Sequence, residues 1–147
     1  ASGLTVSRLT LGDAVGEAVF PLARRVATWR SAGMVCRSLA PLPRVQSSPP
    51  TTGYSDLRQV ALVRLLVDNI ESIQVDWLCH GPKLAQVALN FGVNDVDGVA
   101  PLVREDLGWR RSPREEVRRN IDSAGFTAVR RNGCFEDLDV LDRAERG

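Results

Sequence analysis

Between residues 51 and 131 the hydrophobic period switches repeatedly between helical and extended, with only a few residues at each switch. Such alternation limits the chain to an α/β architecture with parallel strands. Ser55 can N-cap a helix from Asp56 to Asn69, with an acidic residue in its first turn. Leu57, Val60, Ala61, Leu65 and Val67 leave little of that helix polar, which predicts a well-buried element. Residues 73–79 alternate, with Ile73, Val75, Trp77 and Cys79 on one face and Gln74, Asp76, Leu78 and then His80 on the other, the pattern of a strand. Gly81-Pro82 opens the next helix, with proline at the tolerated first position. Leu84, Val87, Ala88 and Phe91 recur at helical spacing before Gly92, a left-handed stop. Residues 93–99 read as a second strand. Ser112-Pro113-Arg114-Glu115 is a capping box for a helix that stops at Gly125, and residues 126–131 read as a third strand before an Asn132-Gly133 turn.

The Ser47–Gly53 stretch, dense in breakers, divides this region from what precedes it. A helix over 13–30 is interrupted by Gly16 and Pro21, and Pro41 and Pro43 oppose regular structure, so residues 1–50 are expected to form a divergent, poorly structured leader. The expected organisation is that leader, an α/β segment over 51–133, and an acidic tail over 134–147. Hydrophobic residues at 44% and charged residues at 25% suit a soluble globular chain. No apolar run approaches the ~18 residues of a membrane span, and no signal-peptide pattern opens the chain, so the expected setting is cytoplasmic with no membrane partner. A net charge of +1 gives no global pull toward nucleic acid. The arginines at 110, 111, 114, 118 and 119 are interleaved with Glu105, Asp106, Glu115 and Glu116, the composition of a solvated charged face. Cys36, Cys79 and Cys134 are too few and too far apart for a disulfide framework or a CxxC metal site.

Several of these segments carry a more specific pattern. Thr52-Gly53-Tyr54-Ser55-Asp56-Leu57 is followed by Arg64-Leu65 with Asp68-Asn69, by Trp77, by Gly81-Pro82-Lys83-Leu84-Ala85-Gln86 running on to Ala88-Leu89 and Phe91-Gly92, and by Asn94-Asp95-Val96-Asp97-Gly98. Their order and spacing resemble the C-terminal end of one radical-SAM group, which contains aminofutalosine synthase, cyclic dehypoxanthinyl futalosine synthase and the deazaflavin FO synthases. Glu116-Val117 through Gly125-Phe126 and Val129-Arg130-Arg131-Asn132 resemble that group's ending, and the Asp97-Gly98 pair favours aminofutalosine synthase. The resemblance implies the C-terminal fragment of a radical-SAM (β/α) TIM-like barrel from the futalosine route to menaquinone. In that family a [4Fe–4S] cluster on a CxxxCxxC loop cleaves S-adenosylmethionine, and the adenosyl radical adds to a carboxyvinyloxybenzoate.

This sequence holds no CxxxCxxC, and such a cluster needs clustered thiolates. The chain as given is therefore expected to bind no cofactor itself and to be inactive alone. Asp76, Cys79 and His80 depart from the family pattern, which suggests drift. In a barrel, functional groups gather at the C-terminal ends of strands. That rule and the resemblance nominate Asn94, Asp95 and Asp97 on the second strand, His80 closing the first, and Lys83 and Gln86 in the first turns of the following helix as residues that meet a small-molecule substrate. Strands 73–79 and 93–99 should lie parallel and adjacent, with an open edge flanked by Ile73, Val75 and Val96 through which the chain can self-associate. The contrasting reading is a non-catalytic α/β interaction module.

Overall fold

The computed structural model describes residues 5–11, 19–30, 33–44, 51–99 and 114–139. Strands and helices alternate throughout: β1 (Thr5–Thr10), α1 (Val19–Ala27, continued by a 3-10 turn over Thr28–Arg30), β2 (Val35–Ala40), α2 (Gly53–Leu66), β3 (Ser72–Asp76), α3 (Trp77–Leu89), β4 (Asp95–Asp97) and α4 (Arg114–Ser123). The four strands form one sheet in the order β1-β2-β3-β4, and every pair is parallel. The expected α/β class and the parallel pairing of the strands around residues 73–79 and 93–99 are both present.

Residues 1–50 differ from the irregular leader expected of them. Their described part supplies β1, α1 and β2, and β1 pairs with β2 over Thr5–Thr10. Pro21 is tolerated because it lies in the first turn of α1, where its missing N–H has no helical partner to lose. Pro41 and Pro43 fall just beyond β2 rather than inside it. The breaker-rich residues 45–50, the capping-box residues Ser112 and Pro113, and the tail from 140 onward lie outside the described residues.

Three boundaries move for identifiable reasons. The N-cap of α2 is Thr52, whose hydroxyl accepts from the Ser55 N–H at 3.2 Å, so the helix starts before Ser55. Its buried stripe is Gln59, Val60 and Val63, whereas Leu65, two residues past Val63 and on the far side, is 80% exposed. β3 ends at Asp76 because that carboxylate accepts the Cys79 N–H at 2.9 Å and caps a helix. Trp77, Cys79 and His80 therefore belong to α3, and the apparent strand alternation stops short of them. Gly81, at φ 80° and ψ 162°, kinks α3 and lets it resume at Pro82. Residues 126–131 form no strand; they hold a single antiparallel bridge, Arg131 to Asp137.

Alternation within the parallel strands gives the sheet two unlike faces. Leu9, Leu39 and Ile73 share one row, and Val75 pairs with Val96 in the next row on the same side. This face meets the helices, burying Val26, Val60, Val63, Val67, Ala85 and Ala88 in one core. Burial of each valine side chain contributes about 1.5–3 kcal/mol. Ile73 and Val75 are fully buried, and β3 is paired on both sides, so neither flanks an open edge as anticipated. The outer strands of the described sheet are β1 and β4.

Candidate functional site

The opposite face is polar, which is unusual for a parallel sheet, whose strands are normally covered by apolar layers on both sides. In register across it stand Arg8, Ser38 and Ser72, then Gln74 beside Asp95, then Asp76 beside Asp97. Ser38, Ser72, Gln74 and Asp76 are buried, and each has a partner. Two networks result.

At the C-terminal ends of β3 and β4, Arg44 from the segment after β2 joins three strand-end groups. Its Nη1 donates to Asp76 and to Asp97, both at 3.0 Å, and its Nη2 donates to Gln74 Oε1 at 3.4 Å. Arg44 and Asp76 are only 15% and 10% exposed, so this pair is poorly screened by water. Arg8 reaches across from β1 to the same Asp97 oxygen at 2.7 Å, and the other oxygen accepts the Gly98 N–H at 2.7 Å. Burial alone would raise the Asp97 carboxyl; the Gly98 N–H and the two guanidiniums outweigh it and hold the group below the usual carboxylate range. Gly98 has φ +74°, and a Cβ there would run into the Asp76 carboxylate, so the ends of β3 and β4 close on each other only around glycine.

Lower on the same face, Asp95 accepts from Ser72 at 2.6 Å, from Gln74 at 2.8 Å and from Arg131 at 2.7 and 3.1 Å. Arg131 arrives from a turn folded on Asn132, whose side-chain oxygen accepts the N–H groups of Cys134 and Glu136. Its guanidinium lies 4.2 Å from the centroid of the Phe135 ring. A cavity of about 510 Å³ opens between the two networks, lined by Arg8, Ser38, Gln74, Asp97, Arg131 and Phe135.

The nominated residues divide. Asp95 and Asp97 stand on this face. Asn94 faces elsewhere, with its Oδ1 accepting from the Ile73 N–H at 2.8 Å and from Arg64 at 2.9 Å, and its amide donating to the Glu71 carbonyl. It joins β4 to the entry of β3 and to α2. His80 brings its ring nitrogens within 3.0 Å of the Asp76 and Pro43 carbonyls, tying α3 to the segment that carries Arg44. Lys83 is exposed and Gln86 half-buried on α3, whose Ala85, Ala88 and Leu89 pack into the core. Neither makes a hydrogen bond to the polar network. Asp76, read as drift, is both a cap and a member of the network. Arg8, Arg44, Gln74 and Arg131 were not nominated; polar residues at every second position of a parallel strand, 72-74-76 and 95-97, were the signal that pointed to this face.

The CofH/MqnC C-terminal region family matches residues 38–143, most of the chain. The chain belongs to that family. Aminodeoxyfutalosine synthase of Thermus thermophilus is 39% identical over 102 residues, covering 65% of this chain and 27% of that enzyme. The Streptomyces coelicolor aminodeoxyfutalosine synthase is 37% identical over 93 residues, 59% of this chain and 24% of that enzyme. Cyclic dehypoxanthine futalosine synthase of the same organism is 30% identical over 96 residues, covering 62% of this chain and 24% of that enzyme. The chain thus spans about a quarter of the length of these relatives along the matched segment. The resemblance read from residues 52–132 holds, and the sheet is the C-terminal part of a radical-SAM barrel wall. β1 and α1 precede the matched residues, yet they continue the same βα rhythm.

The chain's own thiols do not fit a [4Fe–4S] cluster. Cys36 is buried, its Sγ donates to the Ser38 carbonyl at 3.3 Å, and burial pushes its thiol up. Cys79 and Cys134 are exposed, and partial loss of water around the Cys79 sulfur, followed by the Asp76 carboxylate beside it, raises the Cys79 thiol. Among the described residues no group of three His, Cys, Asp or Glu is arranged to hold a metal ion. No described helix is long and apolar enough to cross a membrane.

Proposed function

We propose that this chain is the ligand-facing C-terminal wall of an aminodeoxyfutalosine synthase-like enzyme acting in the cytoplasm, silent by itself and competent when joined to a cluster-bearing half. The observation that carries the reading is the polar face of the parallel sheet within the family match. Buried Gln74 and Asp76, with half-buried Asp95 beside them, cost free energy against apolar residues unless every polar atom has a partner. A sheet that only needed to pack would carry valine there. Polar groups aimed into the interior of a barrel suit a bound substrate, and strand ends are where barrels bind it.

In this reading the chain's residues bind and orient. Asp97, kept ionised by Arg44 and Arg8, offers a fixed acceptor at the strand ends. Gln74 and Asp95 set the wall beneath it, and Arg131 closes its lower end. Radical generation belongs to the half that carries clustered cysteines. Outer strands β1 and β4, each paired on one side only among the described residues, make the 147-residue chain self-associate when expressed alone.

A chimera tests the reading: residues 38–143 replace the matching segment of the Thermus thermophilus enzyme. Product formation from S-adenosylmethionine and the carboxyvinyloxybenzoate is expected. A folded, cluster-loaded chimera that makes no product would refute it.

A further inference from the structure

We infer that His80 is a proton-operated clamp on Arg44, closed when both ring nitrogens carry hydrogens. The clamp goes beyond the substrate reading and stands or falls without it.

The segment after β2 that carries Arg44 is held through its carbonyl oxygens. Pro41 and Pro43 deprive it of two N–H groups. Side chains of the helices meet the carbonyls instead. Gln59 of α2 donates to the Pro41 carbonyl, the His80 Nε2 lies 3.0 Å from the Pro43 carbonyl, and the Cys79 thiol donates to the Arg44 carbonyl at 3.7 Å. Gln59 fixes the start of the segment, and a thiol is a weak donor. His80 is therefore the strong contact beside Arg44.

The second ring nitrogen decides the protonation state. Nδ1 lies 3.0 Å from the Asp76 carbonyl at the start of α3. A carbonyl oxygen only accepts, and a neutral imidazole has one N–H and one lone pair. Neutral His80 satisfies one carbonyl and sets a lone pair against the other, at a distance where the two repel. The imidazolium, with an N–H on each nitrogen, donates to both. The ring is half-buried, which leaves it able to exchange protons with water. When the proton leaves, one contact must open. The Asp76 carbonyl is fixed at the helix start, whereas Pro43 sits in an irregular segment, so the Pro43 side gives way. Pro43 precedes Arg44, whose Nη1 bridges Asp76 and Asp97 at 3.0 Å each. Loss of the proton thus loosens the group that holds the strand ends together.

The charged groups around this joint come from several elements. α3 brings the Asp76 carboxylate, the Cys79 thiol and, one turn on, exposed Lys83. Arg44 comes from the segment itself, Asp97 from β4, and Arg8 reaches Asp97 from β1. α2 and α4 also pack on α3, and they bury Gln59, Val60, Val63 and Val117, none of them charged. Asp76 favours a positive charge on the ring; Arg44 opposes it but is already engaged with two carboxylates. Loss of water and the Asp76 carboxylate push the Cys79 thiol up, so it keeps its hydrogen while the imidazole titrates.

His80 is the chain's one histidine, so its ring nitrogens can be followed in the 15N-labelled 147-residue chain without a variant. A titration from about pH 5 to about pH 8.5 brackets the ordinary imidazole value near 6.5. Both ring nitrogens should be protonated at the acid end, and one should lose its proton as pH rises. The Arg44 Nε–H and the Gly98 amide should move along the same one-proton curve. A histidine that only fills space would leave those two signals still. His80→Gln keeps a donor for Pro43 and removes the titration, so both signals should be flat across the range. A contact that needs the proton is complete below the imidazole range and lost above it, so the wild-type melting temperature should fall about 4 °C further than that of His80→Gln between the two ends. A ring that is neutral at the acid end, Arg44 and Gly98 signals that ignore the His80 curve, or the same curve persisting in His80→Gln would each overturn the clamp. Should His80→Gln not fold, the wild-type curves decide, because the first two outcomes need no variant.

Discussion

Alanine at Gly98 puts a methyl group where the Asp76 carboxylate lies. The built Cβ would meet an Asp76 carboxylate oxygen and lie 2.9 Å from its Cγ, so Asp76 must move. The backbone at φ +74° adds a left-handed penalty of about 1 kcal/mol for a residue with a side chain. Moving Asp76 also weakens the cap on the Cys79 N–H, worth about 1 kcal/mol, and the partly buried contact with Arg44, worth about another 1 kcal/mol. The expected loss is near 3 kcal/mol, or roughly 10 °C in melting temperature for a chain of this size. Gly125 supplies the control: its φ is +88°, but nothing lies within 4 Å of a Cβ there. Gly125→Ala should therefore cost only the backbone term, about 1 kcal/mol. Urea unfolding followed by circular dichroism measures both. In the double variant with Asp76→Ala, the Gly98→Ala penalty should shrink toward that of Gly125→Ala, since the collision partner is gone. Equal losses for Gly98→Ala and Gly125→Ala in the wild-type background would refute the claim that the strand ends close on Asp76.

Three further outcomes are expected. Asp97 has a folded value below its unfolded one, near 3.9, so its stabilisation is complete above that pH and is lost as pH falls toward the folded value; Asp97→Asn should flatten the acid limb of a stability–pH curve, and an unchanged limb would contradict the Arg8 and Arg44 contacts. Iodoacetamide at pH 8 should modify the exposed Cys79 and Cys134 and spare buried Cys36 until unfolding, with Asp76→Asn speeding Cys79 a few-fold by removing the neighbouring carboxylate; labelling of Cys36 in the folded chain would show the core placement wrong. Anaerobic reconstitution of the 147-residue chain should give neither four-iron incorporation nor cleavage of S-adenosylmethionine, and near-stoichiometric iron would overturn the proposal that the chain is silent alone.

Class, rhythm and family were legible because they rest on residues that act locally: Gly92 follows the end of α3, and the helical spacing of Leu84, Val87, Ala88 and Phe91 marks a helix, although its buried side is Ala85, Ala88 and Leu89 while Val87 and Phe91 are exposed. Boundaries failed where a side chain overrode a pattern. The Asp76 cap turned an alternating run into helix, and Thr52 outcompeted Ser55 for the start of α2. The order in residues 1–50 is hidden from composition because proline acts by position: Pro21 in a first turn and Pro41 beyond a strand are permitted. Of the site, Asp95 and Asp97 could be nominated from a motif. Arg8 lies 89 residues from Asp97 along the chain, and Arg44 32 from Asp76, and no local pattern reports such a contact. The alternation 72-74-76 on a parallel strand was the available clue, and it needed the knowledge that the strand was central.

In the proposed function the polar sheet face, and not the helix-covered one, meets the substrate. It is tested most directly by steady-state kinetics of the chimera carrying Gln74→Leu, compared with Val87→Ala on the half-exposed outer side of α3. Gln74→Leu should lower kcat/KM at least tenfold with the melting temperature held within about 4 °C, a change of roughly 1 kcal/mol in stability, while Val87→Ala leaves kcat/KM unchanged. Full activity in Gln74→Leu, with the chimera folded and its cluster intact, would contradict it.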